Sequence, residues 1–210
     1  MYVEQLTWLV PYELRSSKSF NLFGCLHHDM DSSGGMIQSL AGHNVEAEEQ
    51  RVSLTFWKGW QDLERFLRSS KSKLFADTLQ TATERLKPQY CEVVWKSSGY
   101  SVDTVDGITH WALNDFSAES NQDMEALLDG LRLRCRKIAR LNGFSGASIW
   151  IDKYSAKRVV LATHWSGELP PSRAAIDEAL SIQTLKLPVK EARSAVFKVQ
   201  ALERNRFSRV

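Results

Sequence analysis

Arg51-Val-Ser-Leu-Thr-Phe-Trp57 decides the fold, because the chain repeats it as Arg158-Val-Val-Leu-Ala-Thr-His-Trp165. Both copies open on Arg-Val, run through β-branched and apolar residues and end on Trp, the composition of a strand. A repeat at half the chain length sets how many folding units there are, so its surroundings come next. Upstream, Ile37-Gln-Ser-Leu-Ala-Gly-His43 aligns with Ile138-Ala-Arg-Leu-Asn-Gly-Phe144, read as a helix end where Gly42 or Gly143 takes the left-handed conformation. Further upstream, Leu6-Thr-Trp8 aligns with Ile108-Thr-His110, and downstream residues 90–95 align with 194–199. These landmarks, in the same order twice, predict two copies of one unit over residues 1–98 and 104–205. Each copy is read as strand, helix, strand, strand, helix, strand.

In the first copy, residues 3–10 form the expected opening strand, with Pro11 tolerated at its end. Ser16 and Ser17 offer a helix cap, and Leu22, Leu26, Met30, Ile37 and Leu40 keep a helical spacing that Ser32-Ser-Gly-Gly35 interrupts. A broken helix is predicted there, with a strand over 20–26 as the alternative. Residues 46–49 form a polar second strand or loop. Leu63, Phe66, Leu67, Leu74 and Thr78 predict one helix with a solvated basic side. Residues 90–95 close the copy, and 96–106 form the junction.

The second copy opens with a strand over 107–113. Ser120 and Asp123 make a capping pair, and Met124, Leu127, Leu128, Leu131, Cys135 and Ile138 form the buried stripe of a long helix. Arg132, Arg134, Arg136 and Lys137 crowd its last turns, near the negative end of the helix dipole. Strands over 145–153 and 158–165 flank a hairpin turn, Pro170 opens a helix through Leu180, and a strand over 192–202 closes the copy.

The 210 residues are 43% hydrophobic and 25% charged, enough to bury a core. A net charge of +2 with no long basic face excludes nonspecific polyanion binding, so no nucleic-acid partner is expected. The start carries Glu4 and Glu13 and lacks a signal-like apolar run, and no stretch is long and apolar enough to span a bilayer. A cytoplasmic protein without a membrane partner is expected. Cys25, Cys91 and Cys135 have no paired spacing and read as core thiols.

Two such units give an α+β fold: two tandem ferredoxin-like (βαββαβ) units with antiparallel sheets, each with helices on one face. The runs Val159-Val-Leu-Ala162 and Ser148-Ile-Trp-Ile151 are continuous rather than alternating, so both sheet faces must be covered. The economical solution is that the uncovered faces of the two sheets meet, with helices outside.

The stretch from Leu54 to Ser69, a strand ending in Trp and followed at once by a helix, resembles the dimeric α+β barrel superfamily and its antibiotic-biosynthesis-monooxygenase domains. Asn142-Gly-Phe-Ser-Gly-Ala-Ser-Ile-Trp150 and Leu161-Ala-Thr-His-Trp165 carry the same resemblance, which covers nearly the whole chain as two tandem units. It implies a pseudo-dimeric barrel within one chain, as a monomer or a homodimer. For activity it implies a cofactor-free oxygenase acting on a small aromatic or quinone-like substrate; a noncatalytic binding or stress-associated protein is the other reading. A haem-degrading activity is disfavoured, since the Trp and His of that branch fall on Phe66 and near Ala76.

The candidate catalytic residues are His110 and His164, with Trp8, Trp57, Trp111 and Trp165 as substrate-binding walls. A histidine near its ordinary pKa is a usable base at neutral pH, and aromatic walls suit a flat ligand. Both histidines are expected at one cavity, because strands one and three of such a unit are neighbours. The competing reading makes each Trp a packing residue and each His a hydrogen-bonded structural one. His27-His28 lacks a third ligand, so no metal is expected, nor any cofactor.

Overall fold

The computed structural model describes residues 1–11, 34–98, 100, 107–168, 172–180 and 189–204. The expected cap at Ser16-Ser17, the 20–26 alternative, Cys25 and His27-His28 lie outside the described residues.

Eight strands and four helices are described. The first repeat holds β1 (Tyr2–Leu9), β2 (Met36–Asn44), β3 (Gln50–Trp57), α1 (Trp60–Leu67), α2 (Ser70–Ala82) and β4 (Glu84–Lys96). The second holds β5 (Ile108–Ala118), α3 (Met124–Ile138), β6 (Phe144–Asp152), β7 (Arg158–Ser166), α4 (Arg173–Leu180) and β8 (Val189–Arg204). The strands form a closed antiparallel barrel in the order β1-β3-β2-β8-β5-β7-β6-β4. Within each repeat the third strand lies between the first and second: β3 between β1 and β2, β7 between β5 and β6. The two Trp-ending strands thus hold equivalent places. Compact units run over Met1–Tyr90 with the chain from Val199, and over Cys91–Lys198, so β4 and β8 each divide between units.

Several local expectations are corrected. Ile37, Leu40 and Gly42 lie in β2 rather than in a helix, whereas 46–49, expected as a strand or loop, take the loop alternative. The run Met36-Ile-Gln-Ser-Leu satisfies a strand pattern as readily as a helical one, and pairing with β3 decides it. The single helix expected over Leu63–Thr78 is two, because the Ser69 side chain accepts a hydrogen bond from the Ser72 N–H (3.1 Å) and starts a new helix. That restart turns Leu74 outward, 63% exposed, and puts Phe75 and Leu79 inside.

In the first unit, Leu6, Trp8 and Val10 pack with Phe75 and Leu79, and Met36 and Trp57 pack with Leu63 and Phe66. One face of this sheet is therefore helix-covered, and the residues alternating with these take the other. Glu4 shares the helix-covered face and is only 3% exposed; burial raises its carboxyl to about 7, and its Oε2 has no hydrogen-bond partner.

In the second unit, Ser120 and Asp123 make the expected capping box ahead of α3. Leu127, Leu131, Cys135 and Ile138 are buried, while Leu128 sits on the flank, half-buried. Arg134, one of the basic residues crowding the last turns of the helix, is buried at 1% exposure; its Nε and Nη1 lack partners, and burial lowers its pKa. At about 100° per residue, position 134 falls about 20° from 127, at the edge of the stripe made by 127, 138 and 131, and the apolar stripe takes the arginine inside with it. Gly143, after the helix, has φ +81°, and Ser166 N–H donates to its carbonyl at 2.7 Å.

Candidate functional site

Register separates the two candidate histidines. On β5 and β7, His110 stands opposite Trp165, and Trp111 opposite His164. Consecutive strand residues point to opposite faces, so His110 and His164 do not share a cavity. Phe144 stands opposite Trp165 with ring centroids 5.7 Å apart, edge to face, and Phe144 borders residues of α3. His110 and Trp165 therefore lie on the helix-covered face, His164 and Trp111 on the other.

His110 has a settled environment. The Thr109 hydroxyl donates to the Gly167 carbonyl (2.6 Å), so toward His110 Nδ1 (2.9 Å) it accepts, which fixes the proton on Nδ1. Trp165 Nε1 donates to Thr163 Oγ1 (2.9 Å). Trp57 packs on Phe66 with centroids 5.1 Å apart, and Trp8 lies in the α2 cluster. Those residues read as packing and hydrogen-bonded structure.

His164 is different. It is fully buried, neither ring nitrogen has a hydrogen-bond partner, and burial lowers its pKa to about 3. Trp111 lies along one side with ring centroids 3.8 Å apart, and Tyr100 meets it edge-on at 4.3 Å. Trp150 stands 6.4 Å from Trp111, its Nε1 donating to Ser148 Oγ (2.8 Å). Burial pushes the Tyr100 phenol up, weakly opposed by the neighbouring Ser148 hydroxyl, though its oxygen makes no hydrogen bond of good geometry. Further along this face, Asp115 holds Arg158 through both carboxylate oxygens, with Nε at 2.8 and 3.0 Å, and this ion pair raises the Arg158 pKa.

Tyr100 and Gly146 were not legible as site residues. Tyr100 sits in what reads as a polar junction, and Gly146 in what reads as a strand. A Cβ on Gly146 would lie 2.9 Å from Tyr100 Cδ2, so the glycine is what admits the ring beside His164. The signal was an aromatic residue alone in a polar linker. Bulges in β5 between Ile108 and His110, and in β6 between Phe144 and Gly146, flank the end of β7 and set which residues meet there.

The expectation of a usable base is corrected for His164. At a pKa of about 3, removing a proton from a phenol near 10 is uphill by roughly 10 kcal/mol. What this imidazole offers at neutral pH is one donor and one acceptor. The haem-branch positions fall on different helices: Phe66 is buried against Trp57, and Ala76 is exposed on α2. Cys91 and Cys135 are buried free thiols, each pushed up to about 12, mainly by burial. Among the described residues no three His, Cys, Asp or Glu side chains converge as metal ligands, and no described helix is long and apolar enough to cross a membrane. A cleft of about 500 Å³ lies in the second unit beside α3, and neither histidine lines it.

No family model matches the chain, and no curated protein matches it significantly. Solved structures do. An anthrone oxidase-like protein superposes with a TM-score of 0.70 at 14% identity, over 97% of this chain and 92% of that one. A candidate monooxygenase from Lactobacillus acidophilus gives 0.67 at 11% identity, over 97% and 96%. Its counterpart from Fusobacterium nucleatum gives 0.67 at 10%, over 97% and 94%. The chain has the dimeric α+β barrel fold. Both repeats of the fold are present in the one chain.

Proposed function

We propose that the second repeat binds a small, flat aromatic or quinone-like molecule bearing a hydroxyl or carbonyl group, with His164 making the polar contact. The observation that carries this reading is His164: fully buried, uncharged, with two unsatisfied nitrogens between Trp111 and Tyr100. An unpaired buried polar group costs about 1–3 kcal/mol, and a ligand hydroxyl or carbonyl would offset that cost. The aromatic neighbours favour an arene over an aliphatic compound. The first repeat has Phe56 opposite Val3 where the second has His164 opposite Trp111, so the polar contact belongs to the second repeat.

Binding ranks ahead of catalysis because His164 is so weak a base. Oxygenation is the chemical extension: an electron-rich hydroxyarene held here would meet dioxygen without a residue having to take its proton first. The likeness in fold to an anthrone oxidase-like protein is what favours testing that chemistry.

The test is thermal shift with 1-naphthol, 1,4-naphthoquinone and haem on the wild type, His164→Phe and His110→Ala. A rise in Tm with a naphthalene ligand is expected in the wild type and in His110→Ala, and not in His164→Phe. No rise with any of the three, or an equal rise in His164→Phe, would overturn the proposal. Oxygen uptake with 1-naphthol then separates an oxygenase from a binding protein.

A further inference from the structure

The cleft beside α3 is separate from the His164 cluster and differs from it in charge. Trp95 of β4 and Phe144 of β6 line it from the sheet, and Asp129, Arg132, Leu133 and Arg136 line it from α3. About 500 Å³ is the size of a small-molecule site.

The charges in it do not cancel. Arg132 and Arg136 are four residues apart on one helix, hence neighbours of like charge. Asp129 engages Arg132 Nη1 at 2.8 Å, while Arg132 Nε is buried without a partner. Arg136 has no carboxylate partner among the described residues. One positive charge and one unused guanidinium N–H thus remain next to two aromatic rings. Leu133 adds an apolar side chain 58% exposed on a helix that buries Leu127 and Leu131. A ligand suited to these walls has a flat apolar body and one anionic group that accepts hydrogen bonds from guanidinium.

We propose that this cleft binds a small aromatic monocarboxylate, its ring against Trp95, Phe144 and Leu133 and its carboxylate on Arg132 and Arg136. The site does not depend on the reading of His164, which takes an uncharged ligand on the other face of the sheet.

The experiment is calorimetric titration of the full chain with 2-naphthoate and, as the uncharged counterpart, 2-naphthalenemethanol. Saturable binding of 2-naphthoate is expected, weakening as salt is raised, with the alcohol at least ~10-fold weaker. Arg132→Gln with Arg136→Gln should weaken 2-naphthoate by ~10-fold or more, and Arg136→Gln alone, at an exposed position that leaves folding intact, by several-fold. His164→Phe should leave its affinity unchanged. No saturation by about 1 mM, equal affinity for acid and alcohol, unchanged affinity in the arginine variants, or loss in His164→Phe would each overturn the proposal.

Discussion

Two buried titratable residues set opposite pH limbs of stability. Glu4 has its carboxyl raised to about 7 by burial, above its unfolded value of 4.5, so its proton is held more tightly in the folded state. Its contribution is fully present below pH 4.5 and is lost as pH rises through 7, by up to about 3 kcal/mol. His164 is lowered to about 3 from 6.5, so its contribution is present above pH 6.5 and is lost as pH falls toward 3, by up to about 4–5 kcal/mol. Urea melts across pH 3–9 should therefore show Glu4→Gln flattening the loss between pH 4.5 and 7, and His164→Phe removing the loss toward pH 3. Unchanged profiles would mean that these groups are hydrated in the folded protein. His164→Phe also places in the second repeat the residue type that the first repeat has at Phe56, so it should fold normally. Sequence reading picked out His164 and Trp111 as candidates, but a histidine's burial depends on what covers it. Only the fold shows that His164 is a weak base and that Tyr100 lies against it.

Helix α3 shows what a periodic pattern predicts and where it stops. Leu131, fully buried, should lose about 2–5 kcal/mol on truncation to Ala, and half-buried Leu128 clearly less. Equal losses by denaturant melt would mean that the helix is rotated from the register described. Gly143 carries a second element-level prediction. Its φ is +81°, and a Cβ added there would stand 2.6 Å from the Ser166 carbonyl oxygen, so Gly143→Ala should cost about 1–3 kcal/mol by the same melt. The strands teach a subtler point. Six residues separate Arg51 from Trp57 but seven separate Arg158 from Trp165, and side chains alternate along a strand. With the two Trp residues equivalent, Arg51 falls on the helix-covered face of its sheet, whereas Arg158 falls on the opposite face and pairs with Asp115. By the same register, His110 corresponds to Tyr2 and not to Trp8, the partner suggested by aligning sequences. A pattern of apolar types tolerates a one-residue slip that hydrogen-bonded pairing does not.

For the whole molecule, the two long strands matter most. β4 has 13 residues and β8 has 16, and each begins in one compact unit and ends in the other. Because each of these strands is shared by both units, unfolding should be one cooperative transition. Scanning calorimetry should give a calorimetric to van't Hoff enthalpy ratio near unity; two resolved transitions would show two independent units. The sequence by itself determined that a four-stranded α+β unit occurs twice and that both sheet faces are covered, because repetition and hydrophobic run length are local properties of the chain. The tertiary structure alone decided that Met36–Asn44 is a strand, that Arg134 is buried, and that His110 and His164 part to opposite faces. The strand and the parting of the histidines depend on pairing register, and the burial of Arg134 on what packs over α3; both arise only when segments distant in sequence are brought side by side.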